Sequence, residues 1–154
     1  GAPEVIVSVV DAGVDLNHED LASNCAKSNH FNFVDNNAVI TAGDHGTHVA
    51  GIIAEGTPDN VKILSVKSLN SSGGGSSLAV WLGIEYATLK GSDVINISLV
   101  GEAKIDYIEK AISKYDNLSA VFIDYAGLID GFGFSCESFS CYGRGSIVFC
   151  GFSG

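Results

Sequence analysis

Over its first 126 residues the chain alternates between two hydrophobic periods. Short β-branched runs at residues 4–10 (EVIVSVV), 61–66 (VKILSV), 93–99 (DVINISL) and 120–125 (AVFIDY) read as buried strands. Residues 45–54 (HGTHVAGIIA) are small and apolar and predict a buried helix, with Asp44 placed as its N-cap. Residues 78–89 space Trp81, Ile84, Glu85 and Thr88 as a helix would, and residues 105–115 read as an amphipathic helix. The stretch leading to Asn37 is polar, and residues 71–77 (SSGGGSS) read as a flexible loop. Strands alternating with helices predict βαβ units and an α/β fold: a mostly parallel sheet with flanking helices, truncated after about four strands. Ligands of such sheets sit at the carboxyl ends of the strands, so Asp11, which follows the first run, is the first candidate for chemistry.

The pattern breaks at Gly127. The last 28 residues hold seven Gly, five Ser, five of the eight Phe and three of the four Cys, with no Lys and no periodicity beyond one short run at 146–150. Residues 1–126 are therefore expected to form one unit and residues 127–154 a tail of different character. At 154 residues and 46 % hydrophobic, with a mean hydropathy of +0.28, the chain suffices for one packed core and is too apolar to be disordered. No apolar run reaches the roughly 18 residues of a membrane span, and the start has no basic leader, so no membrane segment or signal peptide is expected. Eighteen acidic against eight basic residues give a net charge of −10, which repels a phosphate backbone and argues against nucleic acid as a partner. The spacing of Cys25, Cys136, Cys141 and Cys150 resembles no paired zinc knuckle and leaves their disulfide state open.

Two motifs carry candidate chemistry together. Asp11-Ala12-Gly13-Val14-Asp15 closes the first strand, and Asp44-His45-Gly46-Thr47-His48-Val49-Ala50-Gly51 opens the first helix. A strand-end carboxylate can hold an imidazole at a helix start in one tautomer and stabilise the imidazolium as it forms. The glycines beside each group are read as allowing sharp turns and close approach of a substrate. His48, about one turn after His45, is expected to pack within the helix, while His18 and His30, in polar stretches, are expected to be solvated. A metal site from Asp44, His45 and His48 is disfavoured because the HExxH spacing is absent.

The segments DAGVDLNHEDL and DHGTHVAGIIA together resemble the Asp and His boxes of the subtilisin-like serine proteases. The resemblance continues through SVKSLNSSGGGSSLAVWLGIEYA and GSDVINISL, covers residues 4 to about 100 well and reaches residue 126 more faintly. It implies a peptide-bond hydrolase, usually secreted, with Asp11 as orienting acid and His45 as general base. It further implies that Gly73, Gly74 and Gly75 form an edge that pairs with an extended polypeptide substrate. Ser98, Leu99, Val100 and Gly101 match the wall of the pocket for the residue before the scissile bond. Asp20 matches a position that often ligates a structural calcium. Its partners come from a loop after the His helix, which here is only residues 55–60, so no calcium or other cofactor is expected.

The departures concern the second half of the chemistry. Ala12 stands for the usual Ser or Thr, and Val100 for a usual Gly. Ala126-Gly127 is followed by Leu128, where the family places an oxyanion Asn, and the nucleophile box Gly-Thr-Ser occurs nowhere in the 154 residues. Ser146 and Ser153 are the only late serines beside glycine, and neither has enough chain after it for the helix that would position it. Three readings compete: a truncated or frame-shifted protease, a pseudoprotease that binds extended peptides without cutting them, and a chance match. The last requires Asp11 and His45 to lie far apart in the folded chain.

Overall fold

The computed structural model describes the backbone of residues 1–100, 120–126 and 147–150, and side chains as far as residue 98. The helix expected at 105–115 lies outside the described residues, as do Gly101, Leu128, Ser146 and Ser153. The strands are β1 (Val5–Asp11), β2 (Phe31–Asn32), β3 (Val61–Lys67), β4 (Val94–Val100), β5 (Ala120–Ala126) and β6 (Ile147–Cys150). They form one sheet in the order β2-β3-β1-β4-β5-β6, with every pairing parallel. The four longer strands are those the apolar runs predict. The sheet also takes in β6, within the tail whose composition differs, as a short parallel neighbour of β5.

Strand periodicity sorts side chains onto two faces. Val10, Leu64, Val66, Ile95 and Ile97 point to one face, where they pack with Val80, Ile84 and Ala87 of helix α2 (Ser77–Leu89). Val9 and Ile63 point to the other, against Ala50 of helix α1 (Asp44–Glu55) together with Val14, Leu21 and Cys25. Strands β1, β3 and β4 carry apolar residues on both sides because both faces are covered there, which is why these runs read as continuous rather than alternating. Trp81 and Tyr86 pack against the α2-side core. The Cys25 thiol is free and buried, and that burial, aided by the Asp15 charge, raises its pKa and keeps it a poor nucleophile.

Three local expectations change. The N-cap of α1 is Gly43, in extended conformation, and Asp44 is the first helical residue without a capping hydrogen bond; its carboxylate still suits the positive end of the helix dipole. The α2 cap is conventional, with Ser76 Oγ accepting from the Ala79 N–H at 3.2 Å. The polar stretch before Asn37 contains β2, anchored because Phe31 and Phe33 stack with Tyr86 at centroid distances of 5.3 and 5.5 Å. His30, just ahead of β2, is half-buried rather than solvated: its Nε2 donates to Ala26 O at 2.7 Å and its Nδ1 accepts from Ser65 N at 2.9 Å. That pairing fixes a neutral ring, and burial lowers its pKa.

Strand β1 lies between β3 and β4, so the chain reverses its direction of travel across the sheet there. The crevice at the carboxyl end of such a strand is where doubly wound sheets place their ligands. Asp11 ends β1.

Candidate active site

Asp11 is fully buried, opposite Lys67 of β3 in the strand register. Its backbone carbonyl accepts from the N–H groups of Ser68 and Leu69, at 2.9 and 3.1 Å, which fixes the strand end against the chain leaving β3. The carboxylate accepts from Ala12 N at 2.6 Å through Oδ1, and His45 Nδ1 donates to both oxygens at 2.9 and 3.0 Å. An ionised carboxylate only accepts, so this contact places a proton on Nδ1 and leaves Nε2 to exchange protons with a reactant. The burial contrast suits the division of labour. The Asp11 side chain is 1 % exposed and held rigidly, whereas that of His45 is 57 % exposed.

The sequence places glycine where these two turns meet. A side chain on Gly46 would put its Cβ 2.6 Å from Gly13 O, and one on Gly43 would lie 2.5 Å from Ala12 O. Gly13 itself has φ +98° and its carbonyl accepts from Gly43 N at 3.0 Å. These glycines let the two boxes touch each other, backbone against backbone. Thr47 Oγ1 accepts from Asp15 N at 2.9 Å and Ser65 Oγ from Val14 N at 3.1 Å, so the Asp box is tied to helix α1 and strand β3 as well. Thr47 and Ser65 were legible only as polar residues within apolar runs.

Of the residues expected along the substrate path, Gly73, Gly74 and Gly75 form an exposed turn after β3. Gly73 N donates to Asn70 O at 2.8 Å, Gly74 N to Asn70 Oδ1 at 3.0 Å, and Gly74 O accepts from Asn70 N at 2.7 Å. Those groups are engaged within the turn in this conformation. Gly75 has no room for a side chain, since a Cβ there would lie 2.8 Å from Leu69 Cδ2 and 2.9 Å from Ser68 O. Ser98 lies at the carboxyl end of β4, one residue past the Ile97 that pairs with Val10, and so level with Asp11. Its Oγ accepts from Asn96 Nδ2 at 3.0 Å. Leu99 and Val100 continue β4 beside Tyr125 and Ala126. Asp11, His45 and Ser98 thus share one end of the sheet.

His48 is exposed, contrary to the expected packing, and lines a recess of about 810 Å³ with His18, Asp15, Asp20, Asp44 and Ile52. Neither Asp11 nor His45 lines it. Among the described residues no three His, Cys, Asp or Glu side chains converge as a metal site requires. Asp20 is exposed there without such a set.

The model of the subtilase family matches residues 2–127. The chain belongs to the subtilase family. It is 37 % identical to subtilisin DY of Bacillus licheniformis over 132 residues, which are 80 % of this chain and 47 % of that protein. With thermitase of Thermoactinomyces vulgaris it shares 37 % identity over 131 residues, 79 % of this chain and 46 % of the relative. A crystal structure of a cold-adapted subtilisin-like serine proteinase superimposes with a TM-score of 0.64 at 29 % identity, over 82 % of this chain and 46 % of the other. The chain spans about half the length of the curated relatives it matches. A chance likeness of the two boxes is ruled out by the family match together with the 2.9 Å approach of Asp11 to His45.

Proposed function

We propose that this subtilase chain supplies the acid–base pair and the substrate edge of a serine endopeptidase that cleaves peptide bonds through an acyl-enzyme. His45 takes the proton of the nucleophile through Nε2 and returns it to the leaving amine, and Asp11 holds the ring in the Nδ1–H form. The observation that carries this reading is the two-oxygen contact between the buried Asp11 carboxylate and His45 Nδ1 at the carboxyl end of β1. The substrate is an extended polypeptide, laid between the 73–75 turn, once its Asn70 bonds give way, and the end of β4 at Ser98, Leu99, Val100 and Gly101. The compartment is extracellular, the family's usual place. Among the described residues no helix is long and apolar enough to cross a membrane.

Within its 154 residues the chain does not hydrolyse peptides by itself. In subtilisin, for which these magnitudes are established, removal of the serine alone lowers turnover by about 10⁶, and loss of the oxyanion Asn by roughly 10²–10³. Here the Gly-Thr-Ser box is absent from the sequence and Leu128 follows Ala126-Gly127. Leu128 in place of the oxyanion Asn favours a second reading, a pseudoprotease that binds extended peptides and releases them uncut.

A fluorogenic peptide series tests both. We expect no turnover above buffer, and anisotropy that reports binding weakened about tenfold by Gly74→Trp. A Cβ at Gly74 meets only the Asn70 side chain, the nearest atom at 3.2 Å, so that variant retains the fold and obstructs the edge. Turnover lost in His45→Ala would make the chain a protease in its own right. The absence of both turnover and binding would overturn the substrate-edge assignment.

A further inference from the structure

We propose that Lys67 is a positioning residue for the Asp11–His45 pair: a buried cation that counterweights the Asp11 carboxylate and ties its turn to the loop bearing the substrate edge. The proposal rests on reading Asp11 and His45 as the acid–base pair. Lys67 ends β3 directly opposite Asp11 in the sheet register and is 1 % exposed. Lysine is almost never so buried unless its charge has work to do or a partner to meet.

Its three donors are all engaged. Nζ donates to Ala12 O at 2.6 Å, Thr41 O at 2.8 Å and Ser71 Oγ at 2.9 Å. These acceptors lie on three separate segments: the turn after Asp11, the approach to helix α1, and the loop that leads to Gly73. All three are neutral, so the ammonium charge is not cancelled by a direct ion pair and acts on its surroundings through space. The charged groups facing it are Asp11 from β1 and Asp35 from the segment after β2; burial lowers the lysine pKa and these two carboxylates oppose that. Ala12, whose carbonyl Lys67 holds, also gives the Asp11 carboxylate its 2.6 Å backbone hydrogen bond. The neighbouring position, Gly13, is glycine because at φ +98° a Cβ there would collide with Thr41 O, itself an acceptor of Lys67 Nζ, and would also come within 3.2 Å of Cδ and Nζ of Lys67.

The chemical consequence follows from charge alone. A buried carboxylate beside an imidazole favours the imidazolium, whereas a general base must be free to accept a proton. A fixed positive charge next to that carboxylate offsets part of its pull. Removing the charge strengthens the hold of Asp11 on the imidazolium.

The test is an NMR titration of the His45 ring in the full chain. Lys67→Met is expected to raise the His45 midpoint by about 0.5–1 pH unit, and Lys67→Arg to keep it within about 0.3. A folded Lys67→Met protein with an unchanged or lowered midpoint would overturn the proposal, since a merely structural lysine would not raise it. A reciprocal reading needs no variant. The Lys67 ammonium ¹⁵N resonance of the unaltered protein should shift with the His45 midpoint, and a signal flat through that range would count equally against it. Asp11→Asn serves as the control. A lowered His45 midpoint there keeps the acid–base reading standing whatever Lys67 does, and no change locates the failure in that reading instead.

Discussion

Each of the two described helices makes a close contact through a glycine, and the two contacts differ in kind. Gly83 of α2 sits over side chains: a Cβ there would collide with Ser68 Oγ and press on Val66 and Val10 at 3.1 and 3.2 Å. Gly46 of α1 sits over backbone, with Gly13 O, C and N all within 3.1 Å of where a Cβ would be. The first contact closes a core of Val10, Val66, Ile84, Ile95 and Ile97, where apolar burial does the stabilising. The second brings a polar turn against a helix start and stabilises little by area. What it sets is the distance between Asp11 and His45. One half of the molecule is built for stability and the other for geometry, and substitutions should separate them.

The largest effect is expected on the α2 side. Ile84→Ala empties a fully buried position and should cost about 2–5 kcal/mol in chemical denaturation, while the His45 ring signals stay as in the parent. Gly46→Ala should cost less, about 1–3 kcal/mol, yet move the His45 signals strongly because the helix start must lift from Gly13. If Gly46→Ala left the His45 spectrum untouched, the division between the two contacts would be wrong. Thr47→Val removes the acceptor of Asp15 N–H, and a loss of about 0.5–1.5 kcal/mol is expected from thermal or urea melts, with a small displacement of His45.

A pH effect sharpens the comparison from outside both contacts. His30 has a folded pKa below its ordinary value of 6.5 because burial disfavours the charged ring. The unfolded chain therefore binds more protons as pH falls below about 6.5, and stability contributed by the neutral ring is lost over that range. Urea midpoints should fall from pH 7 to pH 5, and His30→Gln should flatten that slope without changing the His45 titration. An unaltered slope would remove His30 as its source.

Much of this was legible in the sequence, for identifiable reasons. The four longer strands and both described helices announced themselves as apolar runs, and β1, β3, β4 and both helices supply the buried core. Asp11 and His45 stood out because their boxes fall at a strand end and a helix start. Strand β2 did not, since it is two residues long and held by aromatic stacking of Phe31 and Phe33 on a tyrosine more than fifty positions away. Gly43 as the cap of α1 was hidden for a related reason: the residue type that caps well, Asp44, stands beside it. Lys67 falls one residue past the run predicted at 61–66 and was not singled out. The signal available was a lysine ending an apolar run at the same strand-end level as Asp11, visible only once the register of β1 and β3 was known.

In the proposed function Asp11 holds His45 as a base with its proton on Nδ1. A long-range ¹H–¹⁵N correlation spectrum of the His45 ring, recorded above its titration midpoint, tests it most directly. The Nδ1–H tautomer is expected, with a downfield, exchange-protected proton that disappears in Asp11→Ala. An Nε2–H tautomer, or a ring proton indifferent to Asp11, would contradict it.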